Sequence, residues 1–185
     1  MWPKIRSGIW EIIKFVVITL VIVLPIRAYV AQPFIVSGTS MSPTFEDKEY
    51  LIIDELSYHL REPERGEVVV FRYPKEPKIH FIKRIIGLPG ELVMIQDSKV
   101  KIETVAGEEV NLDESYVAGD FTANVRVRLG KTEYFVMGDN RDVSLDSRAW
   151  GPLPREMMTG RVFLRLLPPT RVSFLPGQVG ASQAE

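Results

Sequence analysis

Ile79-His80-Phe81-Ile82-Lys83-Arg84-Ile85-Ile86, followed by Gly87-Leu88-Pro89-Gly90-Glu91, is the stretch on which the reading of the fold depends. A short run rich in isoleucine and aromatic residues, stopped by a Pro-Gly turn, reads as a strand. Alternation along it places Ile79, Phe81, Lys83 and Ile85 on one face and His80, Ile82, Arg84 and Ile86 on the other. Lys83 is then the one charge on an apolar face. Two outcomes are open for such a lysine. Its stem packs at a sheet edge with the ammonium in water, or the amine is desolvated and its pKa falls, because burial disfavours the charged form. A lysine that is neutral near pH 7 can act as a general base.

The same texture extends on both sides. Short runs of β-branched residues are predicted as strands at Glu49–Ile53, Glu67–Arg72, Leu92–Ile95, Val100–Glu103, Val125–Leu129, Tyr134–Met137 and Arg161–Leu166. Turn signals separate them, including Pro63/Gly66, Pro74/Pro77, Gly138-Asp139 and Gly151-Pro152. Many short strands without a sustained helical period predict a mainly β body over 31–167, an antiparallel sandwich or barrel-like domain. A helical turn is expected at Tyr58–Glu64. The more polar residues 96–133 read as an insertion or smaller lobe. Residues 168–185, rich in Pro, Gly and Ser, are expected to form a flexible, frayed tail.

The first thirty residues are of another kind. Ile9 to Val30 reads IWEIIKFVVITLVIVLPIRAYV. The apolar centre, Phe15 to Ile26, falls short of the roughly 20 residues that span hydrocarbon, and the full 9–30 segment reaches that length. Glu11, Lys14 and Arg27 near its ends can snorkel, and Trp2, Trp10 and Tyr29 suit the interface. A cleaved secretory signal is the competing reading. Against it, Pro25, Arg27 and Tyr29 stand where small residues of a cleavage site belong. The expectation is a single-pass anchor with residues 1–8 in the cytoplasm, set by Lys4, Arg6 and Lys14, and the β body on the far side.

Composition excludes several chemistries. The chain of 185 residues has no cysteine, which removes disulfides, thiolate metal sites and a cysteine nucleophile. Its net charge of −1 gives no basic footprint for nucleic acid. His59 and His80 are the only histidines, so a histidine-rich metal site is not expected.

Two polar segments remain. Ser37-Gly38-Thr39-Ser40-Met41-Ser42-Pro43-Thr44-Phe45 gathers hydroxyls on a bend shaped by a glycine and a proline. Ser40 with Lys83 makes a candidate Ser–Lys dyad, and Ser40 with His80 is its rival. The second segment, Gly138 to Arg148, contains Asp142, Ser144 and Asp146 at calcium-loop spacing. Ser147 replaces the glycine such a loop needs and Leu153 its bidentate glutamate, so calcium is not expected. Asp146 and Arg148, two apart, can share one side and pair. Ser144 is placed to hydrogen-bond a neighbouring catalytic group.

Three segments in order resemble the bacterial type I signal peptidases (leader peptidases). These are Ser40-Met41-Ser42-Pro43-Thr44, then Arg65 to Phe71 leading into Lys83 to Glu91, then Gly138 to Arg148, all behind an anchor. The resemblance implies that Ser40 is the nucleophile and Lys83 the general base. It implies that Ser144 orients the amine and that Asp146 with Arg148 braces the site. It further implies no metal or other cofactor, a bacterial inner-membrane location, and cleavage of preprotein signal peptides after small residues at −1 and −3. Phe34, Val36 and Ile82 match positions that line the pockets for those residues. Some members carry a serine hydroxyl in the oxyanion hole two residues before the nucleophile. Here that position is Gly38, leaving its N–H, or Thr39 or Ser37, to compensate. Val143 replaces a commoner asparagine. Two alternatives stay open: a Ser–Lys peptidase of narrower purpose, and a membrane-anchored β domain that binds partners without catalysis.

Overall fold

The computed structural model of the chain describes residues 10–21, 32–112, 114–119 and 121–179. Helix α1 covers residues 10–21. Among the described residues no helix is long and apolar enough to cross a membrane. The remainder of the expected 9–30 anchor lies outside the described residues, as do residues 1–8.

The rest is mainly antiparallel sheet. Strands β1 (Gln32–Ile35), β2 (Tyr50–Asp54), β3 (Val68–Tyr73), β4 (Glu76–Gly87), β9 (Glu133–Met137), β10 (Leu153–Pro154), β11 (Met158–Leu167) and β12 (Ser173–Phe174) form the larger sheet. Its order is β1-β2-β11-β3-β4-β9-β10, with β12 added to β11. Strands β5 (Leu92–Gln96), β6 (Lys99–Glu103), β7 (Glu109–Asn111) and β8 (Val125–Arg128) form the smaller one, in the order β7-β6-β5-β8. The second sheet thus takes in β5, which the sequence reading had left outside the smaller lobe. The reason is pairing, because β5 lies between β6 and β8 over Leu92–Ile95. Helical turns α2 (Ser57–Leu60) and α3 (Ser147–Trp150) and two 3-10 turns, Arg155–Met157 and Pro169–Arg171, lie between the strands.

Apolar side chains explain why the layers stack. β3 is a continuous apolar run because both of its faces are covered. Val68 and Val70 pack with Met41, Phe45, Leu51 and Ile53, while Val69 and Phe71 pack with Tyr58, Ile85 and Tyr134. β9 divides in the same way. Tyr134 and Val136 join the second cluster, and Phe135 and Met137 face a third, with Val93, Ile95 and Ile102 of the smaller sheet. Strands buried on two faces lose the polar alternation that marks a half-exposed strand.

One expectation is corrected. Residues 168–179 are not a frayed tail. Pro169–Arg171 forms a 3-10 turn, β12 pairs with β11, and Leu175 N–H donates to the Phe163 carbonyl at 2.8 Å. Prolines and glycines here shape turns that hydrogen-bond back to the sheet.

Candidate active site

Lys83 sits midway along β4 opposite Val69 of β3. It shares the apolar face with Phe81, whose ring centroid lies 5.3 Å from its Nζ. The residue is 4% exposed, so its ammonium is not left in water at a sheet edge. Nζ donates to Ser40 Oγ at 2.6 Å and to the Ile82 carbonyl at 2.9 Å. Burial pulls the amine down from 10.5 to about 8, with Asp146 and Asp139 pulling the other way. Desolvation wins over two carboxylates because the latter act at a distance, without a direct contact to the amine. His80, the rival partner, packs against Phe34 with ring centroids 5.5 Å apart and makes no hydrogen bond to Ser40. His59 is exposed on α2, its Nδ1 3.0 Å from the Glu55 carbonyl.

Ser40 lies on a tight turn closed by Ser42 N–H to the Thr39 carbonyl at 3.1 Å and Phe45 N–H to the Met41 carbonyl at 2.8 Å. Met41 and Phe45 are its anchors, both buried. The segment after β9 holds the other side. Asn140 N–H donates to the Ser40 carbonyl at 3.1 Å, and the Thr44 hydroxyl donates to Asp139 Oδ2 at 2.5 Å. A Cβ on Gly138 would run into the Ser40 carbonyl and the Ser144 side chain, which is why glycine stands there.

Asp139 is itself locked by Arg84. The two fully buried side chains meet at 2.8 Å (Nε to Oδ1) and 2.6 Å (Nη2 to Oδ2). The guanidinium stacks 4.0 Å from the Tyr116 ring centroid, and burial pushes that phenol up to about 12. Arg84 and Asp139 both fall in the segments that carry the resemblance, but no pairing between them is legible in the sequence. Arg84 looked like an ordinary member of the opposite face. The available signal was an arginine among isoleucines, which burial would oblige to find a carboxylate.

Asp146 accepts Gly138 N–H at 3.0 Å and Arg148 Nε and Nη2, each at 2.8 Å. Arg148 reaches on to the Arg141 carbonyl at 2.8 Å, so this pair ties the 138–148 segment together. Ser144 lies against Gly138, but its hydroxyl is buried without a hydrogen-bond partner among the described residues and does not touch Lys83. Gly38 also differs from expectation. Its φ is +92°, and its N–H donates to Asp47 Oδ1 at 2.8 Å, holding that carboxyl below its ordinary range. That N–H is therefore not free to act as an oxyanion donor. Thr39 and Ser37 are exposed beside it.

A cleft of about 230 Å³ opens onto Ser40 and Lys83. Phe34, Val36 and Ile82 line it, with Leu51 and Val70, while His80, Val143 and Leu145 complete the wall. Two unpaired strand edges lie at this cleft. β1 pairs only with β2, and the His80–Lys83 part of β4 pairs only with β3, among the described residues. The site thus offers a hydroxyl touching a depressed amine beside an apolar groove, with backbone edges ready for an extended chain.

The family model for signal peptidase, peptidase S26, matches residues 9–167. The chain is 40% identical over 171 residues to a probable signal peptidase I-2 of Synechocystis sp., covering 89% of this chain and 76% of that one. It is 36% identical over 183 residues to a signal peptidase I of Leptolyngbya laminosa, covering 94% and 87%. A signal peptidase I of Bacillus licheniformis is 38% identical over 152 residues, covering 77% and 80%. With the family model matching most of its length and relatives at this identity, the chain belongs to the signal peptidase family, peptidase S26.

Proposed function

We propose that this protein is a serine endopeptidase that removes signal peptides from exported preproteins, with Ser40 as nucleophile and Lys83 as general base. The observation that carries the reading is the 2.6 Å contact between Ser40 Oγ and a lysine amine lowered to about 8. At pH 7 about a tenth of such amines are unprotonated, far more than for a solvated lysine.

The extended substrate enters between the free edges of β1 and β4, paired through its backbone. Its small side chains at −1 and −3 face the apolar wall of Phe34, Val36 and Ile82. Neutral Lys83 takes the Ser40 proton as Oγ bonds to the carbonyl carbon after the −1 residue. The proton passes to the leaving amine as the peptide C–N bond breaks, leaving an ester on Ser40. Water, deprotonated by the same lysine, then adds to the ester carbon and Ser40 leaves. The Ser40 N–H supports the oxyanion, and with Gly38 N–H held by Asp47 the neighbouring hydroxyl of Thr39 or Ser37 supplies the second donor. Losing one such donor typically costs ~3 kcal/mol in the barrier. Asp146 with Arg148 braces the 138–148 segment. Ser144, beside Gly138 and unpartnered, turns toward the amine once substrate closes the cleft.

The same reading makes residues 9–30 a single anchor in the bacterial inner membrane, with the β domain outside. Ser40 is fourteen residue steps beyond Ile26 (40 − 26). At ~3.3 Å per residue they reach at most roughly 46 Å, so the cleft stays near the outer face of the bilayer. Mass spectrometry of a preprotein incubated with the chain in detergent tests the function. The wild type releases a fragment cut after a small residue, and Ser40→Ala and Lys83→Ala, still folded, release none. Retained cleavage by Lys83→Ala would reject the dyad.

A further inference from the structure

The stretch after Leu167 has no part in the chemistry above, yet it is built against the turn that carries Ser40. The Arg171 guanidinium donates to the carbonyls of Pro43 at 3.2 Å and Thr44 at 3.4 Å, and pairs with the buried Glu49 at 2.7 Å. Further on, the Gly177 carbonyl accepts from Arg84 Nη1, the guanidinium that locks Asp139. A Cβ on Gly177 would meet Thr44 Cγ2 at 2.6 Å and Phe45 Cε2 at 3.1 Å, so backbone and turn are in direct contact. Arg165 of β11 adds a third hold, donating to the Thr44 carbonyl at 2.8 Å.

A short turn closed by only two backbone hydrogen bonds, Ser42 N–H to the Thr39 carbonyl at 3.1 Å and Phe45 N–H to the Met41 carbonyl at 2.8 Å, has little stiffness of its own. A nucleophile needs placement to well within an ångström, since misplacement of that size can cost about 100-fold. The supports of the Ser40 turn must then come from outside it. One side is the 138–140 segment, and the other is the C-terminal segment. We propose that residues 169–177 act as a strap that positions the Ser40 turn for hydrolysis, with Arg171 as its positioning residue. This rests on the assignment of Ser40 as nucleophile. The competing account is that Arg171 only neutralises Glu49, which would show in stability but not in turnover.

The test uses the full chain in detergent with a precursor peptide, measuring kcat, KM and Tm. The variants are Arg171→Ala, Arg171→Lys and, as a control in the smaller sheet, Val127→Ala. The strap predicts that Arg171→Ala lowers kcat about tenfold with KM within about twofold of wild type. Arg171→Lys keeps the charge for Glu49 but lacks the second nitrogen, Nη2, that reaches the Pro43 and Thr44 carbonyls, so its kcat falls between the two. Val127→Ala loses Tm and keeps its kcat. If Arg171→Ala does not fold, Arg171→Lys decides alone, because wild-type kcat there leaves only the charge role. Wild-type kcat in both arginine variants, a loss confined to KM, or a kcat loss in Val127→Ala matching its Tm loss would overturn the strap. Ser40→Ala separates the two levels of the argument. If it is inactive while Arg171→Ala is fully active, the strap alone fails; if it cleaves, the assignment of the nucleophile fails first.

Discussion

Burial takes the Lys83 amine out of water, and the same desolvation that readies it as a base costs the fold stability. With the amine at about 8 in the folded chain and 10.5 when solvated, the protonated form is disfavoured on folding. Below pH 8 the lysine is charged in both states and the penalty is full, roughly 3 kcal/mol at ~1.4 kcal/mol per unit. It shrinks as pH rises from 8 to 10.5 and is gone above that. Lys83→Met is therefore expected to unfold at higher denaturant than wild type at pH 7, and by a smaller margin at pH 10. Urea melts at the two pH values check it. The position of Lys83 was legible because alternation on β4 put it among Phe81 and Ile85. The fate of Gly38 was not, because its N–H is taken by Asp47, nine residues on, across a loop no local pattern describes.

At the scale of elements, the 138–148 segment and β4 are joined by the Arg84–Asp139 pair, which has no solvent to fall back on. Removing one partner of a buried pair costs about 3–5 kcal/mol, whereas replacing both can be close to neutral. Asp139→Leu is expected to lose stability in that range, and Arg84→Met with Asp139→Leu to recover much of it, read by equilibrium denaturation. Gly138→Ala presses a methyl into the Ser40 carbonyl and Ser144. It is expected to lower kcat by about 100-fold while Tm changes little, since the turn shifts without the core opening. Strands with dense β-branched runs, such as Val68–Phe71, announced themselves in the sequence. β1, β7, β10 and β12 did not. Each is two to four residues long and exists because a partner strand supplies its hydrogen bonds, as Gln32–Ile35 takes Tyr50–Ile53, so its own residues carry too short a pattern to read. Pro168-Pro169 reads as a chain end because Arg171 and Gly177 find their partners far back in the chain, at Pro43 and Arg84.

Over the whole molecule, residues 1–8 and the β domain are expected on opposite sides of the bilayer that the proposed anchor spans. The chain has no cysteine, so single engineered thiols report topology without background. In intact spheroplasts a membrane-impermeant maleimide is expected to label Lys75→Cys on exposed β-domain surface and to spare Ser7→Cys. Labelling of Ser7→Cys alone would invert the topology. The larger sheet, the 138–148 segment and the C-terminal strap all converge on one contact, Lys83 against Ser40, and its proton is the quantity to follow. The most direct measurement is kcat/KM for a precursor peptide against pH, for wild type and His80→Ala. An ascending limb near pH 8, unchanged in His80→Ala and absent with the inactive Lys83→Ala, is the predicted result. A limb near pH 6.5 that disappears in His80→Ala, with activity surviving in Lys83→Ala, would contradict it.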